Sequence, residues 1–549
     1  MKMINRKRAL HSCIKASVSL LILVGLSSCD KDNFTDPNDE QFGGKNTITL
    51  KLSETFQTID HFGASGGFDD QWVGKWPDQS REQVAKLLFS SEVDEQGNPE
   101  GIALSLWRSV IGDGAADQMN SGFSPSNWYT ETECYLRPDG TYDWNKQQGT
   151  QWFLERAKAY GVNKFSAWAT TPPYFLTKNG YTFSTSEVNG FNCPPSNYEA
   201  YALFLANVLN HYSTMGYNFE TVSPFNETQY EWSATVGTAT QSGTSAYNSE
   251  MATFLRLADN VFTAQNVNAK MMVSEAAQLK NLFEGSGNTT NQLGTFFNES
   301  SPDYIGNLNN LSTHIAGHSY FSNDNSAESI RQREGLRNKL QQIGGGHDYW
   351  QTEFSLLGSE YLQGRPMNSL SEIDYALFLS RIIHTDLVFG NATGWSFWTA
   401  LNQSGYEDHP YRFNLIFYQP NSNGPSHTGG TFDDVKNLWA LGNYSRFVRP
   451  GMVRFNVVDP QYSESNSAVE KFMVSGYKSD DTVVLVFTNN TNSERAISFK
   501  NYGSDFSFIN NTVEMYTTSA SQNLERSQVP NDGIVIPAKS IVTVRAKLQ

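Results

Sequence analysis

The chain has 549 residues, 38% hydrophobic and 17% charged, with a formal net charge of −16. That length can bury a large core in more than one domain, and that charge excludes the backbone of a nucleic acid as partner, because binding it requires a basic surface. Aromatic residues reach 13%, which suits stacking on the C–H faces of sugars and suits core packing equally.

Lys2, Arg6, Lys7 and Arg8 precede an apolar run, 18–26, that is too short to span a bilayer. The run ends in Leu26-Ser27-Ser28-Cys29, which resembles a bacterial lipobox, where the leader is cut before a cysteine that then carries lipid. Residues 1–28 are therefore expected to be a lipoprotein signal peptide, and the polar, acidic residues 29–44 a flexible tether. This implies a place in the bacterial cell envelope, lipid-anchored through Cys29, in the outer membrane and facing outward if the acidic run after Cys29 is the surface-export signal that it resembles. After Cys13 and Cys29 only Cys134 and Cys193 remain. The oxidising compartment permits a bridge between them, and two free thiols fit the sequence equally. No C-x-x-C and no paired histidine spacing occurs, so neither a metal nor a cofactor is expected. No oligomerisation motif is evident, and a monomer is expected.

Residues 45–57 alternate with period two and read as one or two strands. Strand-like runs then recur at 58–65, 101–111, 164–169, 219–225, 269–274, 312–318, 348–354 and 392–398. Amphipathic stretches at 80–90, 148–160, 198–215, 249–265, 326–343 and 371–388 separate many of them. Eight alternations of strand and helix predict a (β/α)8 barrel, an α/β TIM-barrel fold, over 58–445. Beyond that the pattern changes to short strands at 469–475, 482–488, 496–499, 512–517, 534–537 and 541–547. Residues 446–549 are thus predicted to be a β-sandwich, which the strand near residue 50 joins.

Two of the predicted barrel strands end in a carboxylate. Ser223-Pro224-Phe225-Asn226-Glu227 follows the fourth, and Asp348-Tyr349-Trp350-Gln351-Thr352-Glu353 forms the seventh. Barrel chemistry sits at the C-terminal ends of strands. Two carboxylates there are what glycoside cleavage needs, one to protonate the departing oxygen and one to attack or stabilise the sugar's cation-like centre. His61, His314 and His318 also lie at strand ends. A serine triad is disfavoured, since no G-x-S-x-G elbow is present.

The chain resembles glycoside hydrolase family 30, a clan A family with a barrel fused to a side β-sandwich. The resemblance rests on an ordered set: Phe62-Gly63-Ala64-Ser65, Trp107-Arg108, Trp168-Ala169-Thr170-Thr171-Pro172-Pro173, Asn226-Glu227, His318-Ser319-Tyr320, Glu353, and Trp395 with Trp398. Tyr444 to Gly451 looks like the family's passage into the sandwich, and the likeness covers residues 45–549. It implies a retaining mechanism with Glu227 as acid/base and Glu353 as nucleophile. It also implies that Asn226 holds the sugar 2-hydroxyl, Arg108 keeps Glu353 ionised, Tyr320 donates to Glu353, and His318 is a hydrogen-bonding wall residue. Trp398 would floor the sugar site, with Trp168 near it, while Trp232, Glu231, Asp69, Asp70 and Trp72 would line subsites. The run 223–232 resembles the endo-β-1,6-galactanase branch, with Thr228 where that branch has proline and Gln241-Ser242-Gly243 where it has Gln-Glu-Gly. The expected partner is therefore a polysaccharide, with β-1,6-galactan side chains of arabinogalactan favoured. β-1,6-Glucan, xylan and glucosylceramide are the family's other substrates. A surface glycan-binding lipoprotein without activity is the remaining reading, and the presence of both carboxylates argues against it.

Overall fold

The first strand, β1 (Asn46–Thr58), does not enter the barrel. The next eight close one in chain order: β2 (His61–Ser65), β3 (Leu106–Val110), β4 (Lys164–Trp168), β5 (Phe219–Ser223), β6 (Lys270–Ala276), β7 (Leu311–His318), β8 (Asp348–Phe354) and β9 (Gly394–Phe397). The computed structural model describes residues 46–118, 121–357, 369–403, 412–501, 512–529 and 533–548. The leader, Cys29 and the tether lie outside the described residues.

All neighbouring barrel strands are parallel, and β2 closes the ring on β9 through Phe62↔Trp395 and Ala64↔Phe397. These strands are apolar on both faces because both are covered. Trp107, Val273, Ile315 and Tyr349 belong to the main core under the helices, while Leu106, Met272, Ala316 and Trp350, their neighbours in sequence, form a separate cluster. Since strand side chains alternate, the second set fills the barrel's interior.

Five predicted helices are present at Gln148–Ala159, Tyr198–Thr214, Asn248–Ala264, Ser326–Ile343 and Glu372–Val388, and the sixth at Asp78–Phe89. Asn325 caps one of them by accepting from Glu328 N, and Ser371 with Asp374 forms a capping box on another. The run expected at 101–111 is shorter as a strand. Ile102 N and Leu104 N donate to the carbonyls of Leu87 and Leu88 at the end of the preceding helix instead. A small sheet of β10 (Leu401–Asn402), β11 (Ile416–Pro420) and β12 (Gly430–Asp434), and a helix at Lys436–Ser445, were not foreseen.

The C-terminal strands are β13 (Val453–Val458), β14 (Phe472–Lys478), β15 (Thr482–Asn489), β16 (Arg495–Asn501), β17 (Glu514–Thr518), β18 (Glu525–Gln528), β19 (Ile534–Ile536) and β20 (Ser540–Lys547). With β1 they make one nine-stranded sheet, ordered β18-β17-β20-β15-β14-β13-β1-β16-β19. β1 pairs antiparallel with β13 and parallel with β16, as Leu50↔Val457 and Ile48↔Phe499 show. Along β15, Val483, Leu485 and Phe487 face the sheet's own core and Val484 and Val486 face the barrel's core. Arg446 fastens the junction: its guanidinium donates to the carbonyls of Ser90, Ser91, Glu92 and Gly101.

Cys134 and Cys193 are both free and buried, so the permitted bridge is not made. The Cys193 thiol points at the carbonyls of Leu176 and Pro194, 3.7 Å from each, and burial pushes it up to about 12.

Candidate active site

The C-terminal end of the barrel gathers four of the expected polar residues. Arg108 comes from the middle of β3, Glu353 from β8, His318 from the last position of β7, and Glu227 from the loop after β5; each is at least nine-tenths buried. Arg108 NH1 donates to Glu353 Oε2 at 2.9 Å and its NH2 lies 3.4 Å from Glu275 Oε1. Tyr320 donates from its hydroxyl to Glu353 Oε1 at 3.3 Å. His318 Nδ1 lies 2.8 Å from Glu227 Oε1 and 3.8 Å from Glu353 Oε1. One oxygen of Glu227, one of Glu353 and a ring nitrogen of His318 all lie within 4.8 Å of one another.

Glu227 owes its position to the backbone. Its φ is +48°, a left-handed value unusual for a side chain of this size. Its N–H donates to the Glu275 carbonyl at 2.9 Å, and its own carbonyl accepts from Tyr230 N and from Trp232 Nε1 at 3.1 Å. Trp232 therefore anchors the loop by its indole N–H, with its ring laid on Gly243, where a Cβ would come within 2.5 Å of the ring. Asn226 Oδ1 is buried with no protein partner.

Trp398, half-buried, meets Trp168 edge-on at 5.3 Å, and Phe68 packs against both. Trp168 is almost fully buried and supports the Arg108 guanidinium on its face at 4.7 Å. Trp398 is thus the more open of the two expected tryptophans. The first threonine of the Trp-Ala-Thr-Thr-Pro-Pro stretch has a structural reason: Thr170 donates to the buried Asp113 carboxyl at 2.7 Å, and burial raises that carboxyl.

Other expected residues lie elsewhere. His61, the first residue of β2, faces Asp60, and His314, midway along β7, faces Asp348 and Glu220, so neither joins Glu227 and Glu353. Asp69, Asp70 and Trp72 are buried in packing rather than lining an open wall. Asp69 accepts from Tyr418 at 2.6 Å, and burial pushes its carboxyl up to about 8.

A third carboxylate at the centre was not singled out from the sequence. Glu275, fully buried at the end of β6, accepts from Ser223 Oγ at 2.6 Å and Thr352 Oγ1 at 2.5 Å and lies 2.9 Å from His318 Nε2. The predicted strand ended at residue 274, one short of it. The signal was the same as for Glu227, a carboxylate closing an apolar strand.

Burial alone would raise Glu275, but Arg108, His318 and the hydroxyl donors overcome it and hold the carboxyl at about 2. Burial likewise opposes charge on His318, and Glu353, Glu227 and Glu275 together lift it to about 10. For Glu353, burial pushes the carboxyl upward against His318 and Arg108, which favour the anion.

The model of O-glycosyl hydrolase family 30 matches residues 45–411. The chain belongs to that family. Glucuronoxylanase XynC of Bacillus subtilis is 26% identical over 329 residues, a match that spans 60% of this chain and 60% of that protein. An endo-β-1,6-galactanase of Hypocrea rufa is 23% identical over 224 residues, 38% of this chain and 45% of the other. Among solved structures, a conserved exported protein from Bacteroides fragilis superposes with a TM-score of 0.83 at 29% identity, covering 91% of this chain and all of that one. In this family 30 barrel, Glu227 follows β5 and Glu353 lies near the end of β8.

Proposed function

We propose that the protein is a retaining glycoside hydrolase acting on β-1,6-galactan side chains of arabinogalactan, with Glu227 as acid/base and Glu353 as nucleophile. The observation that carries this reading is the approach of Glu227 and Glu353 oxygens within 4.8 Å. Retaining enzymes hold their carboxyl groups roughly 5–5.5 Å apart, and inverting ones leave about 6.5–9.5 Å for a water. Glu353 attacks the anomeric carbon while Glu227 protonates the leaving oxygen; Glu227 then takes a proton from the water that frees the sugar from Glu353. Asn226 Oδ1, without a protein partner, is available to a sugar hydroxyl, and Trp398 offers a face beneath the ring.

The galactan choice rests on the run 223–232 and on the likeness to the galactanase of Hypocrea rufa. Product analysis on arabinose-stripped arabinogalactan, β-1,6-glucan, glucuronoxylan and an aryl glucoside tests the reading, with Glu353→Gln as the blank. Short β-1,6-galacto-oligosaccharides from the first substrate alone are expected. Release from another polymer keeps the mechanism and replaces the substrate; equal traces from wild type and Glu353→Gln on all four end the enzyme reading. Anchoring through Cys29 belongs to the same proposal, and Cys29→Ser is expected to leave the membrane fraction. A variant that stays there despite the change refutes the anchor.

A further inference from the structure

We propose that Glu275 is a positioning residue that keeps His318 doubly protonated against Glu227, so that the His318–Glu227 pair holds the one proton that catalysis spends and recovers. The inference rests on the reading of Glu227 and Glu353 as the catalytic carboxylates. His318 is fully buried, and both ring nitrogens face carboxylates: Nε2 meets Glu275 at 2.9 Å, and Nδ1 meets Glu227 at 2.8 Å with Glu353 farther off at 3.8 Å. A neutral imidazole has one N–H and would leave one of these contacts as two facing acceptors unless the carboxyl opposite carried the hydrogen. Glu275 is itself fixed as an anion by Ser223, Thr352 and Arg108, so it cannot supply the missing hydrogen. The two contacts therefore need two hydrogens, one on Nε2 facing the Glu275 anion and one shared between Nδ1 and Glu227 Oε1, and the carboxylates around the ring favour the form with both on the imidazole. The titratable and charged groups that face it are Glu227 from the loop after β5, Glu275 from β6, Glu353 from β8, Arg108 from β3 behind the carboxylates, and Tyr320 two residues along.

A shared proton resolves a conflict in Glu227's two duties. It must be an acid in the first half-reaction and a base in the second. With the proton on His318, Glu227 is an anion; with the proton passed from Nδ1 to Oε1, it is an acid and His318 is neutral. As Glu353 bonds to the anomeric carbon and the bond to the leaving oxygen breaks, that oxygen takes the proton from Glu227. Glu353 loses its charge as the pair loses its proton, so the net charge of the buried cluster is unchanged. Water then gives a proton to Glu227 and its hydroxyl to the anomeric carbon, and Glu353 departs as an anion. Glu353 is also among the anions that favour the imidazolium, so its consumption loosens the proton on His318 when the leaving oxygen needs it.

The basic limb of the pH dependence of kcat/KM reports the free enzyme's pair losing this proton. Glu275→Gln is expected to move that limb acidward by about one pH unit or more, and Glu275→Asp to restore it. A Glu275→Gln enzyme with lower kcat and an unmoved limb overturns the proposal, since a packing role alone would do that. The ring nitrogen resonances of His318 in the wild-type protein give a second reading that needs no variant to fold. They are expected to be those of an imidazolium still at about pH 9, and a midpoint near the ordinary 6.5 or so overturns the proposal. This reading needs no turnover: wild-type protein inert on every glycoside refutes the assigned reaction, while the resonances still decide the proton's place.

Discussion

At the scale of single residues, Glu227, the proposed acid/base, is held by a tryptophan that rests on a glycine. Trp232 Nε1 ties the Glu227 carbonyl, and its ring occupies the space above Gly243. Gly243→Ala puts a methyl 2.5 Å from the ring and must displace it. The expected outcome is a fall in kcat of roughly tenfold or more, because an error of about 1 Å in a catalytic group is costly. Stability is expected to change by no more than about 1–3 kcal/mol. Steady-state kinetics beside a thermal melt check both; an unchanged kcat would show that the ring's seat does not matter to Glu227.

Single strands carry the next effect. β7 carries two histidines, His318 at its last position and His314 midway along it. His314 lies 2.5 Å from Asp348 and 3.6 Å from Glu220 and stacks on Trp350 at 4.1 Å. Burial opposes its charge, but Asp348 and Glu220 prevail and raise it to about 9. A raised histidine stabilises the fold fully below its unfolded value near 6.5 and loses that contribution as pH climbs through about 9. His314 is partly exposed, so the contribution is on the order of 2 kcal/mol after screening. The melting temperature of His314→Gln is expected to lie below wild type at pH 7 and to converge with it near pH 10; a constant gap would remove titration as the cause.

The barrel elements were legible because their signals are local: an apolar run closed by Glu353, or an amphipathic helix with a Ser371-to-Asp374 cap. The helix Lys436–Ser445 was not, because nine of its ten residues are buried and no polar face marks its period. β12 was hidden for the opposite reason, being mostly exposed and polar, with its place set by pairing to β11 alone. Of the site, Glu227, Glu353, Arg108 and Tyr320 were readable and meet as expected. Glu275 was lost to a boundary set one residue early. The fate of Asp69 and Asp70 depended on contacts from Tyr418 and Thr150, far along the chain, which no local pattern encodes.

Across the whole molecule, barrel and sheet share one core. Val484, Val486, Tyr477 and Tyr516 of the sheet pack in the same cluster as the barrel strands and helices. Ser380 on a barrel helix hydrogen-bonds Tyr444 and Thr488. Residues 59–445 alone are therefore expected to be insoluble or to lack a cooperative melt, because the faces under the sheet would be bared. Circular dichroism of that fragment checks it; a sharp transition near that of the full chain would show two independent domains.

The place of β1 in the sheet has a consequence for how the chain is made. It lies between β13 and β16, and each of its ladders joins residues about 400 or more positions apart. During synthesis the earliest strand waits without partners until nearly the whole chain has left the ribosome. Closing so long a loop is slow and entropically costly. The sheet is thus expected to be the last part to form, and its seam at β1 to be the last closed.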